Sequence, residues 1–292
     1  MGAMIKRNAN EALKRPHGVT ASEGRVRHIF RWMAIGMLVT SILLPILPLF
    51  LWSFSFNWFF PDIFPTKWSL RAWTYVFSPT ADILQALWDT TVIALATVFF
   101  SVIVGIPAGR ALGLHVFRGK RFVEFLVLAP TIVPGLAVAL GIHVVFIRLG
   151  LADTVLGVVF VHLVPVLPYV VLVLAGVFAN YDAEFEEQAR TLGAGPLRIT
   201  WYVMLPAILP GVIVAGLFAF LISWSQYVTT LLIGGGQVVT LPLLLFSFAQ
   251  SGDNAITGAL AVVYIVPGLF FLLFTSRYLT GKSQAIGGIG RG

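Results

Sequence analysis

DAEFEEQARTLGAGPLRITWYVMLP, residues 182–206, is the longest polar, charge-bearing run between two hydrophobic segments after residue 121. Asp182 is placed to cap a helix start, and Glu184, Glu186 and Glu187 fall in or near its first turns, where the helix dipole favours negative charge. Leu192-Gly193-Ala194-Gly195 ends that helix, because glycine enters the left-handed C-terminal position without a steric cost. Pro196 then suits the first position of a second helix, where no N–H is needed. That second helix is predicted to run through Trp201 towards Leu205-Pro206, where an apolar segment begins. The stretch is therefore predicted as a two-helix elbow wedged between hydrophobic segments.

The surrounding chain sets the medium. It is 58% hydrophobic and 11% charged, against roughly a quarter charged in soluble domains. Apolar runs of about twenty residues or more predict an all-α polytopic membrane protein, since a membrane barrel would need shorter alternating segments. There are no cysteines, which excludes a disulfide framework and a thiolate metal site. The formal charge of +7 invites a nucleic-acid partner, yet the basic residues gather at the ends of apolar segments instead of on one soluble face. A positive-inside membrane topology explains them, and no nucleic-acid partner is expected.

In chain order, residues 1–28 read as a basic cytoplasmic tail and 29–56 as a first transmembrane helix, too long for a signal-peptide core. Residues 57–82, rich in Trp, Phe and Pro, read as an external interfacial segment. Residues 83–280 hold five more predicted spans, at about 83–112, 122–147, 154–179, 207–233 and 255–279, with the elbow at 182–206. A second external segment, 237–254, is predicted to hold a short re-entrant or interfacial helix, and 281–292 to be a flexible tail. Of the 19 Lys and Arg, all but Lys67, Arg71 and Arg148 fall on one side of this arrangement. Six spans with both termini and the elbow in the cytoplasm follow from that bias.

Within the elbow, Glu187-Gln188-Ala189, then Gly193, Val203 and Leu205-Pro206, keep every spacing of a signature that reads Glu-Ala-Ala, three residues, Gly, nine residues, Ile, one residue, Leu-Pro. The stretch resembles the cytoplasmic signature of binding-protein-dependent ABC importer permeases of the type I, MetI-like inner-membrane family. Gln188 and Val203 are mild departures from its Ala and Ile. The resemblance covers roughly residues 60 to 280 and implies a MetI-like fold in a bacterial inner membrane. It implies a second permease subunit, two cytoplasmic ATPase subunits and an external solute-binding protein, with no cofactor and no enzymatic activity in this chain. By the same resemblance Glu187, Gln188, Ala189, Gly193, Pro196, Leu205 and Pro206 form the face that couples to the ATPase. TLPLLLFS after the glycine-rich turn resembles the spermidine/putrescine branch. That branch often carries acidic residues where this chain has Ser225-Gln226, and a desolvated cation needs a counter-charge.

Several other features have plainer readings. Gly281-Lys282-Ser283 follows the end of a span without a strand, so it is not a nucleotide loop, and IGGIGRG reads as a linker. His143 and His162 have no ligand-spaced partners, so packing or hydrogen bonding is the expected role. Ser223, Ser225, Gln226, Tyr227 and Thr229 make span five polar; they are candidates for the solute path, or for bonding within and between helices. Pro130, Pro134, Pro165 and Pro168 are expected to kink their spans. Few ionisable groups fall mid-span, which argues against the alternative of an ion-gradient-driven carrier.

Overall fold

The computed structural model describes residues 21–56, 58–59 and 61–279; the predicted tail 281–292 and residues 1–20 of the predicted tail 1–28 lie outside the described residues, while 21–28 of that tail are helical. The chain divides into two units, residues 1–50 and 51–292. Helix α1 (Ala21–Leu43) gives way to α2 (Ile46–Ser53) at Leu44-Pro45, with a bend of 43°. Proline has no N–H to continue the ladder there. The predicted single helix over 29–56 is thus a bent pair.

The second unit holds α3 (Arg71–Val76), α4 (Ile83–Leu114), α5 (Lys120–Ile132), α6 (Gly135–Arg148) and α7 (Val155–Ala179). It continues with α8 (Glu184–Thr191), α9 (Pro196–Trp224), α10 (Val228–Gly234), α11 (Leu241–Ser251) and α12 (Asn254–Leu279). Helices α4, α7, α9 and α12 are long and apolar enough to cross a membrane, and the count reaches 6 if α1–α2 and α5–α6 are each one span. The fold is all-α and polytopic.

The centre is the pairing of α4 with α7. Gly105, Gly109 and Gly113 repeat every fourth residue on α4 and face Val170, Leu174 and Phe178 of α7, all at 0% exposure. A Cβ at Gly105 would lie 2.5 Å from Val170 Cγ1, and one at Gly113 2.6 Å from the Ala175 carbonyl oxygen. The glycine groove and the branched ridge bring two backbones together, which is how helices associate where lipid removes the hydrophobic drive. Phe220 and Trp224 of α9 pack with Ala259 and Leu260 of α12, joined by Ala72 and Val76 of α3. Arg71, the first residue of α3, and Asp253, just before α12, add an ion pair at 2.9 Å.

Three predicted features differ in form. The span expected over 122–147 is two helices bent by 100° at Val133-Pro134. The proline ring excludes helical ψ for the preceding residue, and Val133 sits at ψ 134. Pro165 and Pro168 stay inside α7 without a break, because α7 is packed along its length, whereas α5 buries no residue and α6 only Ala139. Second, the elbow's second helix does not stop at Leu205-Pro206 but runs through a π turn at Thr200–Met204 into α9. Third, the span expected over 207–233 is broken at 225–227. Ser225 Oγ and Gln226 Nε2 both donate to the Ile222 carbonyl, at 3.0 and 3.3 Å, and the Gln226 N–H turns to Ser223 O instead. The helix expected within 237–254 is α11, whose first N–H, that of Leu241, donates to Thr90 Oγ1 of α4 at 2.9 Å.

Candidate coupling elbow and solute path

The elbow is built by local rules. The Glu184 N–H donates to Asp182 Oδ1 at 2.9 Å, starting α8. At its end Gly193 takes φ +83; its N–H donates to Arg190 O at 2.9 Å, and the Ala194 N–H to Ala189 O at 3.0 Å. These two bonds are a Schellman cap, which needs a left-handed residue at Gly193. Nothing in this chain lies within 4 Å of a Cβ built there, so the demand is conformational and not one of space. Pro196 occupies the first turn of α9, as predicted.

Both halves of the signature meet. Gln188 and Ala189 of α8 and Val203 and Pro206 of α9 line one open cleft of about 550 Å³, with Phe185 and Tyr202 on its rim. Leu205 packs instead into the cluster of Phe178, Met204 and Ile208. Glu187 is exposed, and its carboxylate pairs with Arg190 of the same helix. Leu192, Leu197 and Tyr202 are each at least 75% exposed, a concentration of apolar surface on the elbow.

Sequence reasoning missed the group beneath this face. Glu186 is 3% exposed, and Arg110 of α4 grips its carboxylate with both terminal nitrogens, at 2.9 and 2.7 Å. Arg110 Nη1 also reaches Met204 Sδ in the π turn, at 2.7 Å, and Arg190 stands 3.7 Å from the same carboxylate. The two hydrogen bonds from Arg110 hold the Glu186 carboxyl below its ordinary pKa, against the opposing effect of burial. Burial first, and then the Glu186 charge, pushes the Tyr181 phenol up to about 12. The acidic residue at 186 was legible as part of a helix start; its partner, 76 positions earlier, was not.

The polar residues of the broken span fall into two sets. Ser223 and Thr229 are buried, whereas Ser225 is exposed and Gln226 and Tyr227 are half-buried. Thr229 donates to Gln226 Oε1 at 2.8 Å, and the Tyr227 ring packs on Phe246 with centroids 4.5 Å apart. His162 of α7 spans the break: Nδ1 is 2.8 Å from Ser223 Oγ and Nε2 is 2.9 Å from Thr230 Oγ1. Thr230 gives its own proton to Gln226 O, so Nε2 carries the imidazole hydrogen and Ser223 donates to Nδ1. His162→Phe leaves the Ser223 hydroxyl without its acceptor, while Thr230 keeps its bond to Gln226 O; at about 1–3 kcal/mol for one unsatisfied buried group, a drop in the thermal midpoint of the purified chain is expected. His143 has no such bridge among the described bonds.

An all-α polytopic chain with a two-helix elbow pinned to its long helices is built as a membrane permease. Residues 105–282 match the family described as binding-protein-dependent transport system inner membrane component, and the chain belongs to it. It is similar to the spermidine/putrescine transport system permease protein PotC of Shigella flexneri, 26% identical over 235 residues, 80% of this chain and 86% of that one. The putrescine transport system permease protein PotI of Escherichia coli (strain K12) is 26% identical over 270 residues, 89% of this chain and 93% of that one. A bacterial ABC transporter involved in the import of the acidic polysaccharide alginate shares the fold, with a TM-score of 0.70 at 20% identity, over 90% of this chain and 99% of that one. The chain is thus an inner-membrane ABC importer permease subunit, and its relatives are transport permeases, not enzymes. The ion-gradient-driven alternative is not favoured.

Proposed function

We propose that this subunit carries a small polar solute of the polyamine kind into the cytoplasm, driven by ATPase subunits that seat on the elbow cleft. The carrying observation is the fold of the signature: Gln188, Ala189, Val203 and Pro206 converge on one open cleft under an apolar rim. In this reading both termini and the elbow are cytoplasmic, two ATPase subunits close on ATP, and a solute-binding protein docks on the opposite side. Closing the ATPase pair favours the outward-open state, and hydrolysis resets it. A second permease subunit is part of the proposal. The bend at Val133-Pro134 is exposed in this chain, and irregular backbone at membrane depth is tolerated only against protein or a water-filled cavity. Ser225, Gln226 and Tyr227 are the candidates for solute contact.

Among the described residues the four long helices carry a single carboxylate, Asp89, bonded by Gln85 at 2.9 Å. A polyamine's counter-charge therefore comes from the second permease subunit in this proposal. The test uses the reconstituted complex and radiolabelled putrescine. Replacing Glu187 with Ala, or Gly193 with Val, is expected to cut both ATPase co-purification and ATP-dependent uptake by about tenfold or more. Undiminished assembly and uptake in both variants rules out docking at the elbow; ATPase binding that is lost without any putrescine uptake in the parent leaves the docking and removes the polyamine.

A further inference from the structure

We propose that the Arg110–Glu186 ion pair is the strut that makes the elbow and the α4–α7 pair move as one body, so that force arriving at the elbow reaches the membrane core through α4. This deepens the coupling reading above and rests on it. The elbow is continuous with the spans at both ends. Residues 180–183, which are not helical, lead from α7 into α8, and α9 passes through the π turn at Thr200–Met204, a looser hydrogen-bond register that is often a functional site. The third attachment, and the one that ties the elbow to α4, is Arg110. Its guanidinium holds Glu186 through both terminal nitrogens and touches Met204 of that same turn. A planar fork on a carboxylate resists rotation as well as separation, unlike a single point contact.

The anchor end is equally fixed. Arg110 sits between Gly109 and Gly113, where α4 lies against α7 so closely that a Cβ would come within 2.6 Å of Leu174 or Phe178. Packed interfaces of this kind shift as blocks and do not deform continuously. Glu186 is turned inward beneath the exposed face of the elbow, at 4% side-chain exposure, while neighbouring Glu187 is turned outward, at 68%. One glutamate is thus available to a partner and the next is committed to the spans.

The absence of cysteine in this chain allows a direct test that needs no knowledge of the solute. Spin labels are placed at Val116, two residues past the end of α4 and 97% exposed, and at Leu192, on the elbow and 87% exposed. The permease–ATPase complex, with cysteine-free ATPase subunits, is then compared in the nucleotide-free state and trapped with ATP and vanadate. The parent is expected to keep one narrow inter-label distance in both states. Glu186→Gln is expected to retain the ATPase subunits but to broaden that distance from one narrow peak to a spread of distances in both states.

A parent distance that changes on trapping overturns the strut without recourse to any variant. A Glu186→Gln complex that keeps the narrow distance also overturns it, as does one that sheds its ATPase subunits with the distance unchanged. The underlying reading fails separately, when Glu187→Ala and Gly193→Val both leave the ATPase subunits fully bound and uptake undiminished.

Discussion

Gly109→Leu is expected to remove the folded permease. The first side-chain atom alone would lie 2.6 Å from Leu174 Cβ, 2.9 Å from the Leu174 carbonyl carbon and 3.0 Å from the Ala175 backbone nitrogen. Those are main-chain and Cβ atoms, which cannot swing aside as a rotamer can. The two helices must therefore separate. Separation also withdraws Val170, Leu174 and Phe178 from a ridge that is now fully buried, so overpacking and lost contact add. Overpacking by itself costs about 1–3 kcal/mol, and the loss of the ridge raises the total beyond that. Gly176→Leu, on α7 itself, is the matched control, since nothing lies within 4 Å of a Cβ at Gly176. Thermal unfolding in detergent is expected to show a midpoint lower by roughly 5 °C or more for Gly109→Leu, if it can be purified at all. Equal midpoints for the two variants would mean that the α4–α7 contact is looser than described.

The membrane character and the elbow were legible because they are encoded locally. A glycine demanded at φ +83, a proline in the first turn of a helix and an aspartate before a helix start are each written within a few residues of where they act. The bend at Pro134 was half legible. Pro107, Pro134, Pro165 and Pro168 look alike in sequence, and Pro107, Pro165 and Pro168 stay inside helices packed along their length, whereas Pro134 lies between two helices that are hardly packed. The break at 225–227 was obscured for a similar reason, since Ser225 and Gln226 could equally have faced a solute. Their capture of the Ile222 carbonyl is a geometric fact. Ser223 illustrates the limit from the other side: a polar residue in a solute-path segment turns out to serve His162 across 61 positions. Long-range partners carry no periodicity, so Arg110 read as one more basic residue at a span end.

Arg110→Met is expected to release the elbow while leaving the spans assembled. The methionine keeps much of the packing volume near Met204, but Glu186 stays almost fully buried with Arg190, at 3.7 Å, as its remaining cation. Removing one partner of a buried pair costs about 3–5 kcal/mol, because a charge is left without its counter-ion. The lower end applies here, since Arg110 is 29% exposed and water reaches that side. The cost is local, so amides of Glu184–Thr191 should exchange faster by about a hundredfold, while those of α4 and α7 keep their protection. The pH dependence should differ in sign between the two proteins. In the parent, the Glu186 carboxyl is held below its ordinary value by Arg110. Its stabilisation is therefore complete above the ordinary carboxylate range and is lost as pH falls through the depressed value. In Arg110→Met the dominant influence becomes burial, which favours the neutral acid. Lowering the pH from 7 towards 5 should then tighten the elbow, with Tyr181 staying neutral throughout. Exchange rates corrected for intrinsic pH effects decide the matter: elbow protection that is the same in both proteins would show that Glu186 was never held by Arg110. In Arg110→Met combined with Glu186→Gln, where residue 186 has no charge left to protonate, protection should recover in part and its gain on acidification should vanish.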